Sequence, residues 1–231
     1  MNRNFIDKIK LPESIRIPYL GGKWYHFILK IENRQILKET IPANPLNQEA
    51  RAEKIIVSIT SYPARISFVH LAIKSLMIQT VKPDRIILWL AEEQFPNKAL
   101  PKELTDLISY GLEIIWMHDI YGHKKYFYPV KNQSENEVVI TYDDDIIYSP
   151  RSIERLMNTH QKYPHCLVCE RGQTINPQFL DNPGRWDTIS NLGVKKPTYI
   201  MNPSPGGGCL IPYGAFHKDA VNEEKNTCPR L

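Results

Sequence analysis

The segment ITYDDDIIYSP, residues 140–150, places Asp143, Asp144 and Asp145 directly after an apolar, β-branched run. Carboxylates held side by side repel one another and raise each other's pKa. A divalent cation relieves that repulsion, and Mg²⁺ and Mn²⁺ prefer oxygen ligands, often one or two carboxylates together with substrate phosphates. Because alternate residues of an extended chain share a direction, Asp143 and Asp145 are the predicted ligands. The alternative is a solvated acidic turn that caps the helix expected near Pro150.

A second candidate segment follows the first predicted strand. Small hydroxyls and free backbone groups at such a position can hold a nucleoside, and a guanidinium pairs with a phosphate or a base edge. The residues of this type are Thr60, Ser61, Tyr62 and Arg65. The alternative is an ordinary strand-to-helix loop, in which Ser61 or Ser67 caps the helix.

Two further segments flank the acidic one along the chain. Lys124 and Lys125 precede it, where a lysine can neutralise a diphosphate, although such pairs also occur in solvated loops. Gly206–Gly208 follow it, and their small size permits close approach of the backbone to a ligand. Their spacing matches neither a P-loop nor GxGxxG, so it indicates neither a nucleoside triphosphatase nor a dinucleotide site. The alternative for the glycines is a flexible turn before a strand.

The elements that position these segments follow from hydrophobic periodicity. Strands are predicted at 54–60, 85–90, 112–116, 137–142 and 165–169, and helices at 66–80, at 100–109 and from Ser149-Pro150 onwards. This alternation predicts an α/β fold with a mostly parallel sheet. In such sheets, ligands bind beyond the carboxyl ends of the strands.

Composition and charge narrow the class of protein. With 231 residues and 42% apolar content, the chain is long enough for one core and is not a disordered sequence. A net charge of +4 is too small to indicate nucleic-acid binding. Residues 1–54 hold 10 Lys/Arg against 6 Asp/Glu, whereas residues 55–231 hold 19 of each. We therefore expect a basic N-terminal extension, 1–54, which is either solvated or able to touch an anionic membrane or a partner, before a nucleotide-binding domain, 55–231.

The expected location is the cytoplasm. No apolar run approaches the roughly 18 residues of a membrane-spanning helix. The N-terminus MNRNFIDKIKLPESIR has no apolar h-region and so does not read as a secretory signal. Peripheral contact with the inner face of the membrane, through the basic extension, is the alternative.

Over roughly residues 54–217 the chain resembles a GT-A-fold glycosyltransferase of the family-2-like bacterial capsule and lipopolysaccharide type. The matching segments are IIVSITSYPARI, SLMIQT, RIILWL, the Lys-Lys pair, VITYDDDIIY and GGGCLIP. The resemblance implies a GT-A fold, that of the nucleotide-diphospho-sugar transferases, as one Rossmann-like domain with a mostly parallel central sheet.

The resemblance also implies two sets of site residues. The donor-binding set is Thr60, Ser61, Tyr62, Arg65, Lys124, Lys125, Asp143, Asp144 and Gly207. Asp145 ligates the cation, Mn²⁺ or Mg²⁺, and Asp143 is the second expected ligand. No residue is assigned as catalytic base.

The implied reaction moves a sugar from a nucleotide sugar, a UDP-sugar by analogy, to a glycan or lipid-linked acceptor in bacterial surface polysaccharide synthesis, with inversion. Similar sequences continue with a further acidic motif that supplies the base, whereas here only Asp219, Glu223 and Glu224 remain. We therefore expect a truncated version whose activity is in question. The alternatives are a catalytically inactive donor-binding or partner subunit and a nucleotidyltransferase, although SITSYPARI lacks the glycines of a phosphate loop.

Overall fold

The computed structural model describes residues 34–182, 187–190 and 196–222. The chain divides into two compact units, Met1–Lys38 and Glu39–Leu231. Of the first unit, residues 34–38 are described, and they are helical. Most of the predicted basic extension therefore lies outside the described residues. Within the described part of the chain, no helix has the length and apolar character needed to cross a bilayer.

The second unit alternates strands and helices. The strands are β1 (Lys54–Thr60), β2 (Arg85–Ala91), β3 (Leu112–Met117), β4 (Glu137–Tyr142), β5 (Val168–Cys169), β6 (Arg171–Thr174), β7 (Asp187–Ser190), β8 (Met201–Pro203) and β9 (Gly207–Pro212). The α-helices are α1 (Val69–Met77), α2 (Lys102–Thr105), α3 (Lys124–Lys131) and α4 (Ser152–His160).

Six strands form the central sheet, in the order β3-β2-β1-β4-β9-β5. β1 runs parallel to β2 and β4, and β2 runs parallel to β3. β9 is antiparallel to both of its neighbours, β4 and β5. The α/β class with a mostly parallel sheet is thus confirmed. The carboxyl ends of β1 and β4 lie side by side at one edge of the sheet, which is the edge where ligands of such folds bind.

The apolar runs form strands because both of their faces are buried. Along β1, Ile55, Val57 and Ile59 belong to one apolar cluster, and Ile56 belongs to a second cluster. Successive strand residues point to opposite faces, so the two clusters occupy the two sides of the sheet. Full burial of each such side chain contributes about 1.5–3 kcal/mol. The edge strand β3 is buried fully only at Leu112.

Several predicted element boundaries differ from those observed. The helix predicted at 66–80 spans Val69–Met77, and the one predicted at 100–109 is a short α-helix continued by 3₁₀ turns at Asp106–Tyr110. The strand predicted at 165–169 is limited to Val168–Cys169. The Lys-Lys pair, where no helix was predicted, begins α3. Helix ends and strand lengths depend on the packing partners, which local periodicity does not record.

A smaller sheet extends the second unit. β6 lies between β7 and β8 and is antiparallel to both. The backbone amide of Ser204, just after β8, donates to the carbonyl of Arg171 at 2.9 Å. This bond holds the start of the glycine-rich segment against the first residue of β6.

Candidate functional site

The three aspartates begin immediately after β4, whose last residue is Tyr142. Asp144 and Asp145 form a turn, so the alternation of an extended strand ends before them. Asp143 contacts Lys125, whereas Asp145 does not share that partner. The side chains of Asp143 and Asp145 are 38% and 48% exposed, and that of Asp144 is buried. The two predicted cation ligands are therefore accessible, and each is paired with a different cationic side chain.

Arg65 joins the end of β1 to the acidic turn, which consists of Asp143, Asp144 and Asp145. Its Nη1 lies 3.0 Å from Oδ1 of Asp144 and 2.8 Å from Oδ2 of Asp145. The hydrogen bond to Asp144 is the largest of the contributions that raise the pKa of Arg65. Oδ2 of Asp144 accepts a second hydrogen bond from the Ser61 hydroxyl at 2.6 Å. Both oxygens of Asp144 are thus engaged, and this carboxylate fastens the β1 loop to the acidic turn.

The other two predicted residues of the β1 loop have different surroundings. The Thr60 hydroxyl donates to the backbone carbonyl of Trp89 on β2 at 2.9 Å. The Tyr62 ring is exposed, and the guanidinium of Arg65 lies 5.5 Å from the ring centroid. An exposed aromatic face and a guanidinium beside it are suited to a base and a phosphate. Of the loop residues predicted from the sequence, Tyr62 and Arg65 are the accessible ones.

Lys125 contacts the acidic turn from the other side, through its ion pair with Asp143. A hydrogen bond to its backbone carbonyl holds Lys125 in position. The Ser58 hydroxyl of β1 donates to the carbonyl of Lys125 at 2.5 Å and accepts from Nε1 of Trp89 at 2.8 Å. These bonds fix the first turn of α3 over the sheet and bring the Lys125 ammonium to the end of β4.

Lys124 is turned away from this site. It is almost fully buried and is paired with Asp119. Asp119 also accepts from the amide of Tyr121 at 2.9 Å and from Nε2 of Gln94 at 2.7 Å. Burial alone raises the pKa of Asp119, but these hydrogen bonds and the charge of Lys124 outweigh burial and lower it. The sequence did not distinguish the two lysines; in the structure one is internal and one contacts Asp143.

Matched substitutions separate these roles. Lys124→Met leaves the partly buried Asp119 carboxylate without its buried cation, and we expect the free energy of unfolding to fall by about 2 kcal/mol. Lys125→Met removes a pair whose acid is more exposed, so its effect on stability is smaller. Urea denaturation of both variants measures the difference. Equal losses of stability would contradict the assignment of Lys124 to the interior.

The glycine-rich segment, Gly206–Gly208, contacts the acidic turn through Gly206. The amide of Asp143 donates to the carbonyl of Gly206 at 3.1 Å. A Cβ atom at Gly206 would overlap the Asp143 carboxylate, so any other residue here requires Asp143 or the backbone to move. Gly207, the residue predicted for donor binding, instead lies under the side-chain stem of Arg171. Gly208 has φ +98°, a left-handed conformation that favours glycine.

Tyr148 connects the acidic turn with the glycine-rich segment, and the sequence reasoning did not single it out. Its hydroxyl accepts from the amide of Asp143 at 2.7 Å and donates to the carbonyl of Gly206 at 2.6 Å. The ring packs against Tyr142, with centroids 4.3 Å apart. Burial is the main reason why the pKa of Tyr148 is raised, so the phenol stays protonated and able to donate. The available signal was an aromatic residue five positions after Asp143.

Tyr148→Phe tests this connection. The ring packing is retained and one buried hydroxyl is lost, so stability should fall by about 1 kcal/mol. Because the Gly206 segment is then held to Asp143 by a single hydrogen bond, we expect nucleotide affinity to fall several-fold as well. Thermal unfolding and calorimetric titration measure the two effects. A variant with reduced stability and unchanged affinity would limit Tyr148 to a role in packing.

The carboxylate oxygens of the acidic turn suit a divalent cation that is also bound by a substrate. Asp143 and Asp145 offer hard carboxylate oxygens that solvent reaches. In the described ranges, no group of three or more His, Cys, Asp or Glu side chains comes together in a way that encloses a metal ion. Mg²⁺ and related ions commonly take one or two carboxylates and complete their shell with phosphates and water. The residues present therefore suit a cation bridged by a diphosphate rather than a cage of protein ligands.

Two of the cavities on the described surface differ in their position relative to the acidic turn. The larger, about 460 Å³, is lined by residues that include Asn47, Arg51 and Lys82 and lies at the amino ends of β1 and β2, away from the acidic turn. The smaller, about 300 Å³, is lined by Arg171, Gly172, Gln173, Asn202, Pro203, Ser204 and Pro205. It adjoins Gly206. Because Gly206 contacts Asp143, the smaller cavity is the one that lies beside the candidate site at the end of β4.

One of the three sequence candidates for a base lies in the described part of the chain. Asp219 is in the 3₁₀ segment Lys218–Val221, with a half-exposed carboxylate 3.7 Å from Nδ1 of His217. Glu223 and Glu224 lie outside the described residues. The catalytic base stays unassigned.

No protein-family model and no curated protein matches this chain. Among solved structures, a mannosyltransferase from Pyrobaculum calidifontis in complex with GDP-Man and Mn²⁺ is similar at 10% identity and a TM-score of 0.36, over 71% of this chain. The chain spans about half, 48%, of that structure. A 4-diphosphocytidyl-2C-methyl-D-erythritol synthase is similar at 10% identity and a TM-score of 0.45, over 73% of this chain and 79% of the other. At such low identity, the fold class rests on the strand order described above.

Proposed function

We propose that this chain is a metal-dependent glycosyltransferase of the GT-A type that uses a nucleotide sugar. The observation that supports the proposal is the interleaving of cations and carboxylates at the carboxyl ends of β1 and β4. A nucleoside diphosphate needs positive charge around its phosphates and hard oxygen ligands for the cation bound to them. Arg65 and Lys125 meet the first need, and Asp143 and Asp145 meet the second.

In this proposal, Asp145 and Asp143 hold Mn²⁺ or Mg²⁺, which when bound offsets negative charge on the diphosphate. The Tyr62 ring supports the base of the nucleotide. Arg65 turns its guanidinium from the carboxylates to a phosphate oxygen. Lys125 places its ammonium beside the leaving diphosphate, where negative charge develops during transfer.

The bond changes follow from this placement. The oxygen of an acceptor hydroxyl forms a bond to the anomeric carbon of the sugar, and the bond from that carbon to the diphosphate oxygen breaks. The nucleoside diphosphate leaves with the electron pair, and the hydroxyl proton passes to a carboxylate base. Attack on the face opposite the leaving group inverts the anomeric centre.

Calorimetric titration of the chain with UDP and with GDP, each with and without Mn²⁺, tests the donor site. We expect one nucleotide to bind, and to bind more tightly with Mn²⁺. Absence of binding by both nucleotides would overturn the proposal and leave the acidic turn as a helix cap.

Product analysis separates the alternative activities. A glycosyltransferase releases a nucleoside diphosphate from a nucleotide sugar, whereas a nucleotidyltransferase releases pyrophosphate from a nucleoside triphosphate. A catalytically inactive donor-binding or partner subunit binds the nucleotide sugar and releases neither product. Incubation with each substrate class, followed by chromatography of the nucleotides, distinguishes the three.

The acceptor that we propose is a glycan or lipid-linked glycan of bacterial surface polysaccharide synthesis, reached from the cytoplasmic side of the membrane. The basic segment 1–54 would then contact anionic lipids. We expect sedimentation with phosphatidylglycerol liposomes to decrease when residues 1–50 are removed, and to decrease in high salt. Equal sedimentation of both chains would exclude this membrane contact.

A further inference from the structure

We infer that the 300 Å³ cavity beside Gly206 binds the acceptor, and that this acceptor ends in a carbohydrate unit with an anionic group, a carboxylate or a phosphate. The inference rests on the proposed transferase function, because it assigns the second substrate of the same site.

The wall of the cavity is fastened to the end of β4. The Thr141 hydroxyl donates to the carbonyl of Pro205 at 2.6 Å, and the amide of Asp143 donates to the carbonyl of Gly206 at 3.1 Å. Gly206 itself lies against the Asp143 carboxylate. A ligand in the cavity is therefore separated from the acidic turn by one or two residues of backbone.

The cavity and the proposed nucleotide-sugar site lie on opposite sides of β4. Strand order places β1 on one side of β4 and β9 on the other. The loop with Tyr62 and Arg65 follows β1, whereas the segment Pro203–Pro205 leads into β9. A nucleotide bound by the β1 loop and an acceptor bound in the cavity would thus meet near Asp143.

The lining indicates the class of ligand. Arg171 is the only charged residue among the lining residues that the structure describes, and no carboxylate lies with it. Gln173, Asn202 and Ser204 add groups that both donate and accept hydrogen bonds, as vicinal hydroxyls require. The lining holds prolines and a glycine but no aromatic ring on which a base could stack. A sugar with an acidic substituent satisfies this set better than a nucleotide or an acyl chain does.

The guanidinium of Arg171 is held close to the point of transfer. Its Cβ, Cγ and Cδ atoms lie over Gly207, where a Cβ atom would approach them to 3.0–3.1 Å. Glycine at this position lets the stem lie flat on the backbone. Arg171 is an exposed residue, and the five N–H donors of a guanidinium suit a bidentate pair with a carboxylate or phosphate.

The test follows the Arg171 Nε–H resonance in the ¹⁵N-labelled full-length chain, assigned by its loss in Arg171→Gln. The probes are methyl glucuronide, glucose 6-phosphate and the neutral methyl glucoside. We expect at least one anionic probe to shift this resonance saturably, at about tenfold lower concentration than the neutral one, because a charge-assisted hydrogen bond is stronger than a neutral one. The two anionic probes distinguish a carboxylate from a phosphate acceptor.

Variants and nucleotides complete the test. Arg171→Gln should reduce the affinity for the anionic probe to that of methyl glucoside, whereas Arg85→Gln, at the amino-terminal end of β2, should not change it. Equal responses to charged and neutral probes, or none to either, overturn the inference. A shift caused by UDP or GDP instead assigns Arg171 to the donor and also overturns it, while the proposed function stands. Binding of the anionic probe without any nucleotide binding supports the cavity and overturns the proposed function.

Discussion

Asp145→Asn is expected to abolish Mn²⁺-dependent nucleotide binding while the chain stays folded. The substitution keeps the shape of the side chain and removes the charge that a hard cation requires. Changes in the residues around a metal ligand already reduce metal affinity roughly 10–100-fold, so loss of a ligand should exceed that range. Folding should be little affected, because Asp145 is half exposed and its pair with Arg65 is worth at most about 1 kcal/mol.

Asp106→Asn is the matched control for this prediction. Asp106 is exposed and forms a comparable surface pair, with Lys102, but it lies after α2 and away from the end of β4. Titrating wild type and both variants with UDP and GDP, with and without Mn²⁺, gives the comparison. If Asp145→Asn bound nucleotide as wild type does in Mn²⁺, Asp145 would not be the ligand. A similar loss in Asp106→Asn would point to a general effect of charge.

The sequence predicted the parts of the fold that local pattern determines. Runs such as KIIVSIT and EVVITY form strands because both of their faces are buried, and the residues after them gather at one edge because the strands are parallel. The aspartates and the β1 loop were therefore both predicted at carboxyl ends of strands, and the structure shows that these two strands are neighbours. Arg65 and Asp144 are 79 positions apart in sequence and form a hydrogen bond.

The rest of the candidate site depends on contacts between distant segments. Lys124 and Lys125 are adjacent, identical in type and both buried, and only the position of α3 on the sheet decides which one pairs with Asp119 and which with Asp143. The same holds for Gly206 and Gly207, where the pairing of β9 with β4 decides which glycine touches Asp143. No periodicity distinguishes members of such pairs.

Gly206→Ala is expected to reduce nucleotide affinity at least tenfold, because it acts on the contact between Asp143 and the glycine-rich segment. The added methyl group would overlap the Asp143 carboxylate. To make room, Asp143 has to rotate away from Lys125, or the segment has to move and lose the bonds that Asp143 and Tyr148 make to its carbonyl. Either change removes a predicted cation ligand from its position. Overpacking of this kind also lowers stability by about 1–3 kcal/mol.

Gly122→Ala separates this contact from the general effect of removing a glycine. A Cβ atom at Gly122 meets nothing within 4 Å, and Gly122 is not among the residues with positive φ. Because alanine restricts the unfolded chain more than glycine does, this control should be neutral or stabilise by about 0.4–1 kcal/mol. Calorimetric titration with nucleotide and Mn²⁺, alongside thermal unfolding, reports both quantities. If Gly206→Ala lost stability but kept its affinity, the carboxylate of Asp143 would not be needed where the structure holds it, and the cation would depend on Asp145 alone.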